Sequence, residues 1–375
     1  MAGRCGARPR HAIVISSPIA PSGRCATAMH NRQRMRIHEL KKRLRDAGAG
    51  PSHEQRILRL WSHALPRDSG RRLPASFFPS SLLDALPSIE AELAGLARVH
   101  AVHPGADGSE RLLVALADGQ TVESVLLPRG GLCVSSQVGC AVGCQFCMTG
   151  RDGLLRQVGS AEIIAQVALA RMRRPLRKVV FMGMGEPAHN LDNVIEAIEL
   201  LGTVGNIGHK NLVFSTVGDP RAFERLGQAR VRPALALSLH TTKAELRNQL
   251  LPRAPRMTPE ELVAAGEHYA RATGHPIQYQ WTLLEGVNDG QDEIDGIVRL
   301  LTGKYGVLNM IPFNAVNGVA FSRPSWERCQ EIARVLHGRG ILTKLRQSAG
   351  QDVDGGCGQL RARAAEARVV PLHRA

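Results

Sequence analysis

GCAVGCQFCMTG, residues 139–150, sets the reading of the whole chain. Its cysteines, Cys140, Cys144 and Cys147, follow a CxxxCxxC spacing, and Phe146 stands just before the third. Thiolates are soft ligands and suit an iron–sulfur cluster or zinc. Three of them so close together, with no fourth ligand nearby, leave one metal position open. Zinc sites usually show paired CxxC or Cys/His spacing with four ligands. A cluster therefore leads, with a zinc knuckle or unligated thiols as the alternatives.

The composition around this loop is that of a globular protein. A chain of 375 residues holds one large domain and a smaller one. Its 43% hydrophobic content is ordinary, and no apolar run reaches the roughly 18 residues a membrane-spanning helix needs. The net charge of +15 suits a polyanionic partner such as nucleic acid, or simply a basic, solubilising surface. The eight cysteines are unevenly placed, with Cys5 and Cys25 near the start and Cys329 on a predicted helix. That is no disulfide framework, and a reducing cytoplasm is the expected setting.

Upstream of the loop, residues 1–35 show no sustained period. HAIVISSPIA superficially imitates a signal peptide but is short and broken by Ser and Pro. The stretch reads as a disordered leader, or as a start placed too early with Met29 or Met35 as the true one. Residues 36–100 turn helical and read as a small accessory domain. A first helix stops at Ala47–Pro51, Ser52 is positioned to cap a second, and a third begins near Pro79-Ser80. Lys41, Lys42, Arg43 and Arg45 can touch RNA phosphate or form a solvated helix face. Residues 108–128 alternate as a β-hairpin turning at Asp118-Gly119, with Glu123 on its second strand.

From residue 129 to 362, short apolar strands alternate with helices. Strands are predicted at Leu132–Ser135, Lys178–Met182, Asn211–Ser215, Ala234–Ser238, Ile277–Thr282 and Val307–Ile311. SAEIIAQVALARMRR, with Ser160 as its cap, and LDNVIEAIELLG are helices between them. This pattern is α/β and predicts a parallel sheet curled into a partial (βα)6 barrel. In parallel barrels the active residues sit at the C-terminal strand ends. GMGEP, STVG, SLH and PFN all directly follow predicted strands. They offer Gly185 for close backbone approach, the Glu186 carboxylate for an ammonium group, and Ser215, Ser238, His240 and Asn314 as hydrogen-bonding groups. Near the end, DVDGGCGQL sets Cys357 in a Gly-rich loop expected to be mobile, before a tail at 363–375.

LCVSSQVGCAVGCQFCMTG, VVFMGMGEP, STVG, LALSLH, MIPFN and CGQL together resemble the RlmN/Cfr family of radical S-adenosylmethionine (SAM) RNA methyltransferases. The resemblance runs from about residue 37 to 362. It implies a partial radical SAM barrel in which Cys140, Cys144 and Cys147 hold a [4Fe-4S] cluster whose open iron takes the amino and carboxylate groups of SAM. Gly185, Glu186, Ser215, Ser238, Leu239, His240 and Asn314 fall on SAM-binding positions. Cys357 matches the cysteine that is methylated, Cys133 its thiol partner in a transient disulfide, and Glu123 the proton acceptor. The implied substrate is an adenosine of 23S rRNA or tRNA, methylated at ring carbon 2 or 8. The implied partner is a reductase such as flavodoxin or ferredoxin, and the expected state a monomer with no membrane association. Three departures lie near the RNA entry: SAGQDVDGG where the family has an Arg-Gly pair and then Asp-Ile-Asp-Ala-Ala, Ala315 where Pro follows PFN, and Asp219 in place of an apolar residue.

Overall fold

The computed structural model describes residues 35–316 and 318–362. The predicted leader, apart from Met35, and the predicted tail lie outside these residues. Four helices come first: α1 (Ile37–Asp46), α2 (Pro51–Ser62), the single turn α3 (Pro74–Phe77) and α4 (Ser80–Gly95). Leu40 and Leu44 of α1, Leu58 of α2 and Leu82 and Leu86 of α4 are buried in the same hydrophobic core as the main sheet. The cap of α2 differs from expectation. Gly50 takes that position and Pro51 opens the helix, because proline has no N–H to orphan and its φ is preset.

Next come β1 (Ala97–Pro104), β2 (Glu110–Leu116), β3 (Thr121–Leu127), β4 (Gly131–Cys133), and a small pair, β5 (Gln137–Gly139) with β6 (Leu154–Gln157). The remaining elements alternate: α5 (Ser160–Arg171), β7 (Lys178–Phe181), α6 (Leu191–Gly202), β8 (Leu212–Thr216), α7 (Pro220–Gln228), β9 (Ala234–Ser238), α8 (Ala244–Leu250), α9 (Pro259–Thr273), β10 (Ile277–Leu283), α10 (Gln291–Leu301), β11 (Gly306–Pro312), α11 (Trp326–Gly338) and β12 (Thr343–Leu345). The main sheet runs β1-β2-β3-β4-β7-β8-β9-β10-β11-β12. Its first four strands are antiparallel neighbours, and from β4 onwards each pairing is parallel. The predicted hairpin is therefore continuous with the barrel sheet and is lengthened by β1, whose His- and Arg-rich ARVHAVHP carries little strand signal.

Register decides which side chains face inwards. Cys133 pairs with Val180, Val180 with Val213, and Val213 with Ala234. Val180, Val213, Ala234 and Ala236 form a separate small cluster against Cys133 and Met182. Alternate residues such as Phe181, Phe214, Leu237, Trp281 and Met310 join the larger core beneath the helices. The inner face of these strands thus carries Val and Ala, and the outer face the larger residues.

Ser160 also departs from its expected role. Gly159 holds the cap position of α5, with the Glu162 carboxylate accepting its N–H at 2.7 Å. Ser160 Oγ instead accepts the Ile37 N–H at 2.9 Å and donates to Glu196 at 2.7 Å, tying α1 to the barrel.

Candidate active site

The β5–β6 pair frames the cysteine loop, and the Cys140 N–H donates to Gly153 O at 2.9 Å. Cys140 is buried with Phe146, Val217, Leu250, Leu251, Leu284 and Phe313, and Cys144 and Cys147 pack against the same cluster. Burial pushes the Cys140 thiol up to about 12, with the charges of Glu186 and Cys147 adding to it. Cys144 is raised too, by burial first and then by Cys147, Cys140 and Glu186. The Cys140 and Cys144 sulfurs thus lie within electrostatic reach of one another, of Cys147 and of Glu186. No three Cys, His or acidic side chains among the described residues converge on a single ion position. A four-iron cluster asks for less, since each thiolate binds a different iron.

Glu186 follows β7 in a backbone that only small residues permit. Gly185 has φ +102°, and a Cβ there would lie 2.5 Å from the Gln137 side chain. The Glu186 carboxylate accepts N–H bonds from Ala188 at 3.0 Å and Val217 at 3.0 Å, linking the ends of β7 and β8. Burial nevertheless raises it to about 7. A cation brought into contact would reverse that shift.

The next strand ends complete the ring. Ser215 and Ser238 share the lumen face, since both lie in register with it on β8 and β9. After β9, Leu239 is fully buried and His240 adopts φ +61°, both N–H groups donating to Gln280 O. His240 Nδ1 accepts the Thr282 N–H at 3.0 Å, and its ring meets Phe146 edge-on at 4.8 Å. Burial, then the Arg247 charge, lowers this imidazole to about 3, so it is neutral. Asn314 Nδ2 donates to Ser348 Oγ and to Cys357 O, each at 2.9 Å. Its Oδ1 is buried without a partner. Arg247, which no sequence motif marks, spans Val217 O and Ser238 O and keeps an unpartnered Nε.

The Cys357 loop is held down, contrary to the mobility its glycines suggested. Met148 N–H donates to Gly358 O at 2.7 Å, and Thr149 Oγ1 to Leu360 O at 2.7 Å, so it rests directly on the cysteine loop. A Cβ on Gly356 would lie 2.6 Å from Gln359 Oε1 and 2.9 Å from Asn314 Nδ2; the glycine serves close packing. Cys357 is exposed. Crowding by protein still raises its thiol, as does Cys147, while Ser348 and Arg346 draw it down. Cys133, on the lumen face, is raised by burial and then by the charge of Cys357. Both sulfurs are free thiols; the expected disulfide is not formed in this state.

Glu123 lies apart from the strand-end ring. It is 1% exposed on β3, ion-paired with Arg111, and accepts the Arg361 N–H at 2.8 Å. Arg111 Nε also donates to Val353 O, so the pair clasps both flanks of the Cys357 loop.

The residues fit the group that such a loop implies. Cys140, Cys144 and Cys147 are three soft donors against one apolar cluster, the Glu186 charge reaches them, and Asn314 Oδ1 and Arg247 Nε are buried polar atoms without a protein partner.

Comparison with known proteins agrees. Residues 134–301 match the family described as the radical SAM superfamily. A relative from Leptothrix cholodnii, named probable RNA methyltransferase, is 71% identical over 329 residues, 88% of this chain and 95% of its own. Another of that name from Pseudomonas aeruginosa is 65% identical, covering 91% of this chain and 100% of its own. A solved radical SAM methyltransferase from Sphaerobacter thermophilus superposes with a TM-score of 0.76 at 32% identity, over 88% of this chain and 98% of its own. The chain belongs to the radical SAM superfamily, among its methyltransferases.

Proposed function

We propose that the protein is an RNA methyltransferase of the RlmN/Cfr kind, modifying carbon 2 or 8 of an adenosine in 23S rRNA or tRNA through a methylated Cys357. One observation carries this reading. Cys357 is braced against the cysteine loop, within electrostatic reach of both Cys147 and the lumen thiol Cys133. A radical SAM enzyme with small-molecule chemistry has no need of that second pair of thiols. The net charge of +15 suits a polyanionic substrate.

Those adenine carbons have no lone pair with which to attack a methylsulfonium. When bound, the cluster held by Cys140, Cys144 and Cys147 supplies the electron that cleaves SAM to a carbon radical. Glu186 accepts an N–H of the SAM amino group, and Ser215, the Ser238-Leu239-His240 turn and Asn314 grip its remaining polar groups. Cys357 is the polar methyl acceptor, because a thiolate is a good nucleophile toward the methyl of SAM. The methyl carbon on Cys357 Sγ gives a hydrogen atom to that radical and adds to the ring carbon; once the adduct has given back one electron, the sulfur holds the RNA covalently. Glu123 takes the ring proton, for which it must open a contact with Arg111 or Arg361. Cys133 thiolate then attacks Cys357 Sγ; the electron pair of the broken S–C bond passes to the carbon, which takes a proton to become the methyl group, and external thiol reduces the disulfide formed. Flavodoxin or ferredoxin is the electron donor class. Mass spectrometry of rRNA and tRNA nucleosides from a deletion strain tests the reading. Loss of one methyladenosine is expected, and an unchanged nucleoside profile would refute it.

A further inference from the structure

Four lumen side chains have no part in the chemistry above: Lys178 on β7, Asn309 on β11, Lys344 on β12 and Arg346 just beyond it. Lys178 lies two residues before Val180, so strand alternation gives it the lumen face. Lys344 pairs with Asn309, Asn309 with Gln280, and Gln280 with Ser238, which carries the same face across four strands. Leu345, between Lys344 and Arg346, packs on the opposite side against the larger core. The Arg346 N–H donates to Met310 O at 2.8 Å, so the strand path continues through it.

The cations face one another. Burial lowers the Lys178 ammonium, and Arg346 and Lys344 lower it further. Arg346 also acts on the Cys357 thiol. Among the described residues no carboxylate forms an ion pair with any of the three, although acids elsewhere in the fold are paired with Arg or Lys. Asn309 is 1% exposed and its Nδ2 has no hydrogen-bond partner. Lys344 and Arg346 are exposed and Lys178 is half-buried, so an anion can reach them from solvent, while the buried, idle donor of Asn309 lacks an acceptor.

We propose that Lys178, Lys344, Arg346 and Asn309 form a binding site for one phosphate of the RNA backbone, on the lumen face of the sheet beside the edge strand β12. The proposal rests on the RNA reading above and names how that substrate is gripped. Phosphate fits better than the amino-acid end of SAM, whose ammonium would be repelled here. Arg346 ties the site to Cys357, so the phosphate held belongs to the target nucleotide or its neighbour.

The test uses holoprotein and a fluorescent RNA hairpin with an unpaired adenosine in its loop, titrated at several salt concentrations. Counterion release gives a slope of log affinity against log salt near −0.7 per single-stranded phosphate neutralised. The double variant K178Q/K344Q is expected to lower the slope by about 0.7. Its cluster absorbance and melting temperature stay those of the wild type. K210Q/K304Q, changing two exposed lysines outside the lumen, leaves the slope unchanged. K344E, a single change on an exposed edge position, weakens binding more than K344Q and guards against a misfolded double variant. Wild-type slope and affinity in both K178Q/K344Q and K344E would overturn the site while leaving the RNA reading intact. Absence of salt-dependent RNA binding by the wild type would overturn both.

Discussion

At the scale of single residues, the site turns on ionisations that burial has displaced. Burial holds Glu186 near 7, and its carboxylate form is the better acceptor for the N–H groups of the SAM amine. Affinity for SAM is therefore expected to rise between pH 6 and 8, by up to about tenfold for one ionisation near 7. Isothermal titration of wild type and Glu186→Gln checks this, and the variant should be weak and flat with pH. His240 has the opposite sign. Its folded pKa near 3 lies below the ordinary 6.5, so the unfolded chain takes up a proton that the native state refuses. Stability attributable to His240 is complete above 6.5 and is lost as pH falls towards 3. The difference in urea midpoint between wild type and His240→Gln should shrink on acidification across that window. For the sulfurs, Cys357→Ala is expected to abolish methylation in a turnover assay while leaving cluster absorbance intact.

At the scale of elements, the Cys357 loop is the part whose stability matters most. Arg111 and Glu123 are a largely buried pair, with side chains 13% and 2% exposed, that clasps both flanks of that loop. Arg111→Met strands a buried carboxylate and is expected to cost about 3–5 kcal/mol in urea unfolding. Arg111→Met with Glu123→Leu should recover most of that loss. Hydrogen exchange in the loop should quicken in the single variant. Asp219 illustrates a smaller device: its side chain accepts the Arg221 N–H at 2.9 Å and caps α7. That explains its departure from an apolar residue, and Asp219→Ala should cost about 1 kcal/mol. The six predicted barrel strands were legible because each is an apolar run closed by a glycine or polar turn. β12 was not, since three residues of mixed character carry no period. The clasp on Cys357 was also invisible. Glycines signal freedom in a sequence, and only the fold reveals that Gly356 is there for close packing against Asn314.

At the scale of the whole molecule, one curved sheet gathers residues from both ends of the described chain. β3 brings Glu123, β4 brings Cys133, β7 to β11 bring the strand-end ring, and the segment after β12 returns Cys357 to the first of these. Motif order along the sequence disclosed the strand-end ring. It did not disclose Arg111, Arg247 or Arg346, because an arginine in a charged stretch carries no mark of burial or of what it faces. The central claim is that Cys357 bonds covalently to RNA and that Cys133 releases it. Purified Cys133→Ala protein, analysed by intact mass spectrometry with and without nuclease, tests this most directly. The account predicts an RNA adduct on Cys357 that shrinks to one nucleotide-sized remnant on digestion. Adduct-free Cys133→Ala protein that methylates RNA at the wild-type rate would contradict it.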